Sequence, residues 1–314
     1  MTLQDDALQR ASVAGRYRIG IGCMALTGLY GRIVASDARD VLAKAISLGF
    51  RLFDTAPLYA NGQNEALIGD VIGSTEGTTV ATKFGLVETK DGKLMRDSRP
   101  ESIRASVEAS LARLRRERID ILIQHRPDPA VNDQEVAGAV QDLIDAGKVA
   151  AFGLSGTPID RIKPITDRCC VSVVQNELSV LSDPDTWSAP QKIGDMGAFF
   201  MAYAPIARGL LSSNAAKTKR DAEDYRSQIE AFNDPDHSVS EVLRTCLKDV
   251  ASAYGISVTA LVLAWIKTRG ANVIPIPGPR RPEHLSDLVD AANLELDTAH
   301  ISTIEKIASS KSDG

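Results

Sequence analysis

Eight short apolar runs, alternating with longer segments of helical period, constrain the fold of this 314-residue chain more than any other feature. The runs are "RIGIGCM" (Arg18–Met24), "RLFD" (Arg51–Asp54), "TVATKF" (Thr79–Phe84), "IDILIQH" (Ile119–His125), "VAAFGLS" (Val149–Ser155), "VSVVQNE" (Val171–Glu177), "AFFMAYA" (Ala198–Ala204) and "NVIPIP" (Asn272–Pro277). Between them lie helix-patterned segments such as "SDARDVLAKAISLG", "RPESIRASVEASLARLR", "DQEVAGAVQDLIDAGK" and "SVTALVLAWIKTRG". Ser36 and Asp37 are expected to open the first of these, and Gly49 to close it. Strands that are apolar along their whole length are buried on both faces, and strands alternating with helices form parallel β/α units. Eight such units predict an α/β fold of one kind, the closed (β/α)8 TIM barrel.

Nothing in the chain reads as an interdomain linker. A single domain over residues 1–314 is expected, with residues 1–16 as a loosely ordered tail. The rhythm breaks once, from Ala207 to about Ser240, where the chain is polar and weakly periodic. A long insertion after the seventh strand would lie at the carboxyl end of the barrel. Such insertions serve as binding elements or lids, with disorder as the plainer reading.

Composition narrows the function. A formal net charge of −5 argues against general nucleic-acid binding, which needs a basic surface. No apolar stretch reaches the roughly 20 residues that span a bilayer. The first residues lack a basic stretch followed by an apolar one, so a cytoplasmic chain is expected. Cys23, Cys169, Cys170 and Cys246 have no metal-ligand spacing and read as reduced thiols. No metal site is expected.

In a barrel of this kind, catalytic groups come from the carboxyl ends of the strands. Asp54 ends the second run, Lys83 lies near the end of the third, His125 ends the fourth, and Tyr59 stands on the loop after Asp54. Each alone has a plain explanation: a turn cap, a lysine reaching water, a satisfied core histidine, a half-exposed tyrosine. Their coincidence on adjacent units of one rim favours chemistry.

The series "GFRLFDTAPLYANGQNEALIG", "ATKFG", "ILIQHRPDP", "GLSG", "VVQNE", "AYAPIARGLL" and "VIPIPGPRRPEHL" resembles the ordered motifs of the aldo-keto reductases, from Gly20 to about Leu296. The resemblance implies a (β/α)8 barrel, a nicotinamide cofactor, usually NADPH, and reversible reduction of aldehydes or ketones without a metal. It assigns the catalytic roles to Asp54, Tyr59, Lys83 and His125. Chemistry agrees. A free phenol, with a pKa of about 10, is a reluctant acid. A nearby ammonium is expected to lower it, with Asp54 holding Lys83 charged and a neutral His125 orienting the carbonyl oxygen.

By the same resemblance, Tyr203 faces the nicotinamide, and Ser155 and Gln175 hold its carboxamide. Ile206, Arg208, Gly209 and Leu210 approach the pyrophosphate. Gly278, Arg280, Arg281 and His284 form the segment that receives the adenosine 2′-phosphate. Pro279, His284, Leu288 and Gly156 depart from the family's usual residues, which keeps NADH open as the cofactor. Met24, Leu26, Tyr30, Leu58, Phe84 and Arg126 are expected to line the substrate pocket. The mainly apolar set suits an aromatic or medium-sized carbonyl compound, and Arg126 suits a polar or anionic group. The alternatives are an NAD-dependent dehydrogenase of a sugar or other alcohol and a non-catalytic, cofactor-binding regulatory subunit.

Overall fold

The computed structural model describes residues 17–212, 224–232 and 239–310. The expected tail at 1–16 and much of the 207–240 insertion lie outside them. The strands run β1 (Ile21–Gly22), β2 (Leu52–Asp54), β3 (Thr79–Phe84), β4 (Leu86–Glu88), β5 (Leu94–Arg96), β6 (Ile119–Gln124), β7 (Val149–Ser155), β8 (Val171–Glu177), β9 (Phe199–Tyr203) and β10 (Val273–Pro275). Eight of them form one parallel sheet in the order β1-β2-β3-β6-β7-β8-β9-β10. The sheet is the inner layer of the expected (β/α)8 fold. The last seam is closed by backbone hydrogen bonds from Gly20 N to Pro275 O (2.9 Å) and from Gly22 N to Pro277 O (2.8 Å).

The seam requires glycine. A Cβ on Gly22 would stand 2.6 Å from the carbonyl oxygen of Ile276, so any side chain pushes the two backbones apart. Gly22→Ala is expected to destabilise the fold by about 1–3 kcal/mol through this overpacking. Urea unfolding checks it, and an unchanged midpoint would mean that the seam has slack.

Strand parity sorts the core. Side chains alternate between the two faces of a strand. Leu52, Ala81, Ile121, Ile123, Ala151, Val173, Met201, Ile274 and Ile276 point inward and fill the barrel. Their neighbours Phe53 and Val80 pack outward in one apolar cluster, and Leu122, Phe152, Val174 and Phe200 in another. The inward parity, continued to the carboxyl rim, places Asp54, Lys83, Ser155, Gln175 and Tyr203 around one mouth. The register agrees: Gly22 lies opposite Asp54, Ser155 opposite Gln175, and Glu177 opposite Tyr203.

The helices that follow the strands include α1 (Ala35–Leu48), α2 (Gln63–Ile72), α3 (Pro100–Leu114) and α4 (Asp133–Asp145). Gly49 closes α1 in the left-handed conformation, as expected. Its start differs. Val34 is the cap, without a side-chain hydrogen bond, and Ser36 and Asp37 fall inside the first turn. There Asp37 meets the positive end of the helix dipole instead of capping an amide. The run from Arg18 forms only a two-residue strand, because the chain turns into a 3-10 helix at Cys23–Leu26. The antiparallel hairpin β4–β5 lies outside the eight-run reading; it turns at Gly92 (φ 78°). Among the described residues, no single helix is long and apolar enough to cross a membrane. All four cysteines are free thiols; Cys23 and Cys169 are buried and Cys170 is exposed.

Candidate active site

The mouth is organised by a buried ion pair. β2 ends on Asp54 and β3 carries Lys83, and these residues are only 3% and 1% exposed. Lys83 Nζ donates to both carboxylate oxygens of Asp54 (2.9 and 2.8 Å), to the carbonyl of Thr55 (2.8 Å) and to the Tyr59 hydroxyl (3.2 Å). Gln175 Nε2 donates to Asp54 Oδ1 at 2.7 Å. The carboxylate thus has charge and hydrogen-bond compensation together, which a buried ion requires.

The loop carrying Tyr59 is held from behind. Ala60, Asn61 and Gly62 are consecutive left-handed residues (φ 49°, 51° and 82°) that turn the chain into α2. At the start of that helix, Asn64 accepts from the Thr55 hydroxyl (2.6 Å) and donates to the Cys23 carbonyl (3.0 Å). Its neighbour Glu65 accepts from the Thr82 hydroxyl (2.6 Å) and from Arg113 Nε (2.7 Å). Asn64 and Glu65 went unrecognised in the sequence. Two polar residues opening an amphipathic helix carry no local sign of burial, and Arg113, the most distant partner, is 48 positions away.

Burial pulls the Lys83 pKa down, but Asp54 and then Tyr59 outweigh it and hold it above the usual lysine value. Burial dominates at Tyr59, which is raised although Lys83 pulls it down. The expectation that the ammonium lowers this phenol below its ordinary pKa is therefore corrected: desolvation wins, and Tyr59 stands protonated. His125 is pushed well below its usual value by burial, then by the charges of Lys83 and Arg126, so its imidazole is neutral as expected. The Tyr59 and His125 rings meet edge to face, with centroids 6.1 Å apart.

Around this cluster lie the other anticipated positions. Ser155 ends β7 and accepts from Arg126 at 3.1 Å, and the Arg126 guanidinium lies 5.9 Å from the centre of the Tyr203 ring. Beyond Tyr203, Ala204, Ala207, Arg208 and Gly209 all have positive φ, giving a tightly wound segment. Arg208 is held by Glu177 through two hydrogen bonds of 2.8 Å. Ile206 is half-buried between two apolar clusters, and Leu210 is buried in one of them. A cavity of about 350 Å³ opens between Glu177, Arg208, Ile229 and Phe232, and none of Asp54, Tyr59, Lys83 or His125 lines it.

Residues 224–232, the described middle of the long insertion, bond to two sides of the mouth. Tyr225 N donates to the Leu29 carbonyl (2.9 Å), and Arg226 reaches the Arg208 carbonyl (3.3 Å) while its guanidinium lies 5.1 Å from the Tyr30 ring centre. Arg280 donates to the carbonyls of Gly31 (2.7 Å) and Arg32 (2.9 Å). His284 Nδ1 accepts from Arg280 N at 3.2 Å, and Arg281 approaches its other nitrogen at 3.3 Å. Gly278 lies against Ala25, where a Cβ would come within 2.8 Å. Leu288 is buried in the apolar cluster that contains Leu285, so it faces the core.

The expected substrate pocket divides. Met24 and Leu58 are half-buried near the mouth. Tyr30 lies beneath Arg226, and burial pushes its pKa up to about 12. Phe84 and Leu26 are corrected to core residues. Phe84 follows inward-pointing Lys83, so it points outward, where its ring stacks on Phe152 with centroids 6.4 Å apart. Leu26 packs in the apolar cluster beneath α1.

Comparison with known proteins agrees with this architecture. A family model described as Aldo/keto reductase family matches residues 18–309. The chain is 29% identical over 297 residues to "Aldo-keto reductase yakc [NADP(+)]" of Schizosaccharomyces pombe, covering 92% of this chain and 87% of that protein. It is 28% identical over 282 residues to "Probable aldo-keto reductase 1" of Glycine max, covering 89% and 82%. Among solved structures, the glycerol dehydrogenase AKR11B4 from Gluconobacter oxydans superposes with a TM-score of 0.84 at 28% identity, covering 92% of this chain and 90% of that one.

Proposed function

The chain belongs to the aldo/keto reductase family, and we propose that it reduces an aldehyde or ketone to the alcohol with NADPH, Tyr59 giving the proton. That it is an NAD(P)-dependent oxidoreductase follows from the family. The observation that carries the finer reading is Lys83, whose ammonium touches both Asp54 and the Tyr59 hydroxyl.

When bound, the cofactor supplies the hydride, and the rest is the work of the protein's own groups. The Tyr59 hydroxyl and the neutral His125 imidazole would hold the carbonyl oxygen on which negative charge develops during reduction. The Tyr59 O–H proton passes to that oxygen, the alcohol forms, and the phenolate left behind rests against the Lys83 ammonium. Asp54 keeps that ammonium charged throughout. Water reprotonates Tyr59 for the next cycle. A donor fixed beforehand where charge develops needs little reorganisation.

The donor set fits a phosphorylated cofactor. At one edge of the mouth Arg280 and Arg281 lie beside Arg208 and Arg226, which are themselves paired with Glu177 and Asp224. Burial, then Arg226, lower the pKa of Arg280, with Asp224 opposing and Arg281 adding a little; a bound anion would offset that lowering further. One relative is named for NADP(+), which supports the same choice. A second reading, NAD-linked oxidation of an alcohol, draws on the Arg280 side chain being engaged with Gly31 and Arg32, on Pro279 lacking a hydroxyl, and on a relative that is a glycerol dehydrogenase. The exposed free Cys170 fits a reducing compartment such as the cytoplasm.

Titrating the purified protein with NADPH and NADH, followed by its fluorescence, separates the two readings. One charge-assisted hydrogen bond to the extra phosphate contributes about 1.5–3 kcal/mol, so NADPH is expected to bind at least about tenfold more tightly. Equal or tighter NADH binding would favour the dehydrogenase.

A further inference from the structure

Arg126 is a cation without a counter-charge at the centre of the mouth. It follows His125, is half-buried, and donates to the His125 carbonyl (2.7 Å) and the Ser155 hydroxyl (3.1 Å). Its guanidinium lies over the Tyr203 ring. No carboxylate among the described residues pairs with it. The nearby Arg208 and Arg226, by contrast, are held by Glu177 and Asp224. The placement is also built by the backbone. Gly156, at φ 63°, lies alongside, where a Cβ would come 3.1 Å from Arg126 Cδ and 3.2 Å from a guanidinium nitrogen. A side chain at that position would crowd the arginine away from Ser155. Its charge reaches both Tyr59 and His125, lowering each.

We propose that Arg126 selects the redox form of the cofactor: an uncompensated guanidinium between Ser155 and Tyr203 opposes the positively charged oxidised nicotinamide and leaves the neutral reduced ring unopposed. The inference rests on the proposed function, in which Ser155 and Tyr203 hold the nicotinamide. NADPH and NADP+ share their phosphates, riboses and adenine, so contacts to those parts cancel when the two are compared. What remains is one unit of charge on the ring. Two like charges in close approach at a partly solvated rim disfavour each other by roughly tenfold in affinity. Arg126 thus keeps the protein loaded for reduction and speeds the exit of the oxidised product. Asp54 does not cancel this field, because its carboxylate is already neutralised by Lys83.

The test is equilibrium titration of the full chain with NADPH and with NADP+, for the unaltered protein and for Arg126→Met, Arg126→Gln and Arg126→Lys. The unaltered protein is expected to bind NADPH the more tightly. In Arg126→Met and Arg126→Gln the ratio of the two dissociation constants should fall by about tenfold, chiefly because NADP+ binds more tightly. Arg126→Lys, which keeps the charge, should retain most of the preference. Loss of the hydrogen bond to Ser155 would shift both forms together and leave the ratio alone. An unchanged ratio in the two neutral variants overturns the proposal while NADPH binding persists, and an arginine that only anchors an acidic substrate would give that result. Binding of neither form by the unaltered protein would instead overturn the proposed function, and this inference with it.

Discussion

Replacing Lys83 with methionine is expected to destabilise the protein by about 3–5 kcal/mol and to remove nearly all of its turnover. The reason is the depth of the site. The Asp54 carboxylate is buried, and with the ammonium gone only the Gln175 amide would still donate to it among the contacts described. Thr55 also loses the partner of its carbonyl. A double variant, Asp54→Asn with Lys83→Met, separates charge from packing. Removing the stranded carboxylate should recover most of the stability, while turnover stays absent because Tyr59 still lacks its cation. Urea unfolding and single-turnover kinetics on the three proteins read the two effects separately. A double variant as unstable as the single one would mean that lost packing at Lys83, not an unpaired charge, is the dominant cost.

Tyr59→Phe should leave a folded protein that binds NADPH normally and turns over about 10²- to 10⁴-fold more slowly, the range that general acid catalysis supplies. The hydroxyl makes one hydrogen bond at 3.2 Å, to Lys83, so its loss is expected to lower stability by only about 1 kcal/mol. Because burial raises the Tyr59 pKa above its ordinary value, the phenol stays protonated through neutral and mildly alkaline solution. The reduction step should therefore persist across that range rather than decline above neutrality. Normal turnover in the phenylalanine variant would remove Tyr59 from the reaction.

The barrel was legible because burial on both faces leaves a strong mark. β3, β7 and β8 have the bounds read from "TVATKF", "VAAFGLS" and "VSVVQNE". The cluster of Asp54, Tyr59 and Lys83 was legible for a related reason: polar residues at the ends of apolar strands have few plain explanations when they recur on one rim. The misplacement of Phe84 was avoidable. If Lys83 points inward, strand parity sends the next residue outward. The hairpin β4–β5 was harder, since its three-residue strands are largely exposed and have no apolar alternation to betray them. Gln175 reaches Asp54 across 121 positions, a distance over which no local pattern operates. The pKa direction of Tyr59 depends on a contest between desolvation and a neighbouring charge, and only the depth of the site decides which wins.

The glycine seam also governs the order in which this molecule can come into being. Gly20 and Gly22 lie at the first strand of the chain, while Pro275 and Pro277 arrive only with the last strand of the sheet. A chain emerging from the ribosome can therefore form the Asp54–Lys83 pair within its first third but cannot seal its ring until almost all of it has emerged. Until then the amides of Gly20 and Gly22 face an open sheet edge, the kind of surface that invites pairing with another chain. The two hydrogen bonds that complete the barrel thus end its exposure to misassembly.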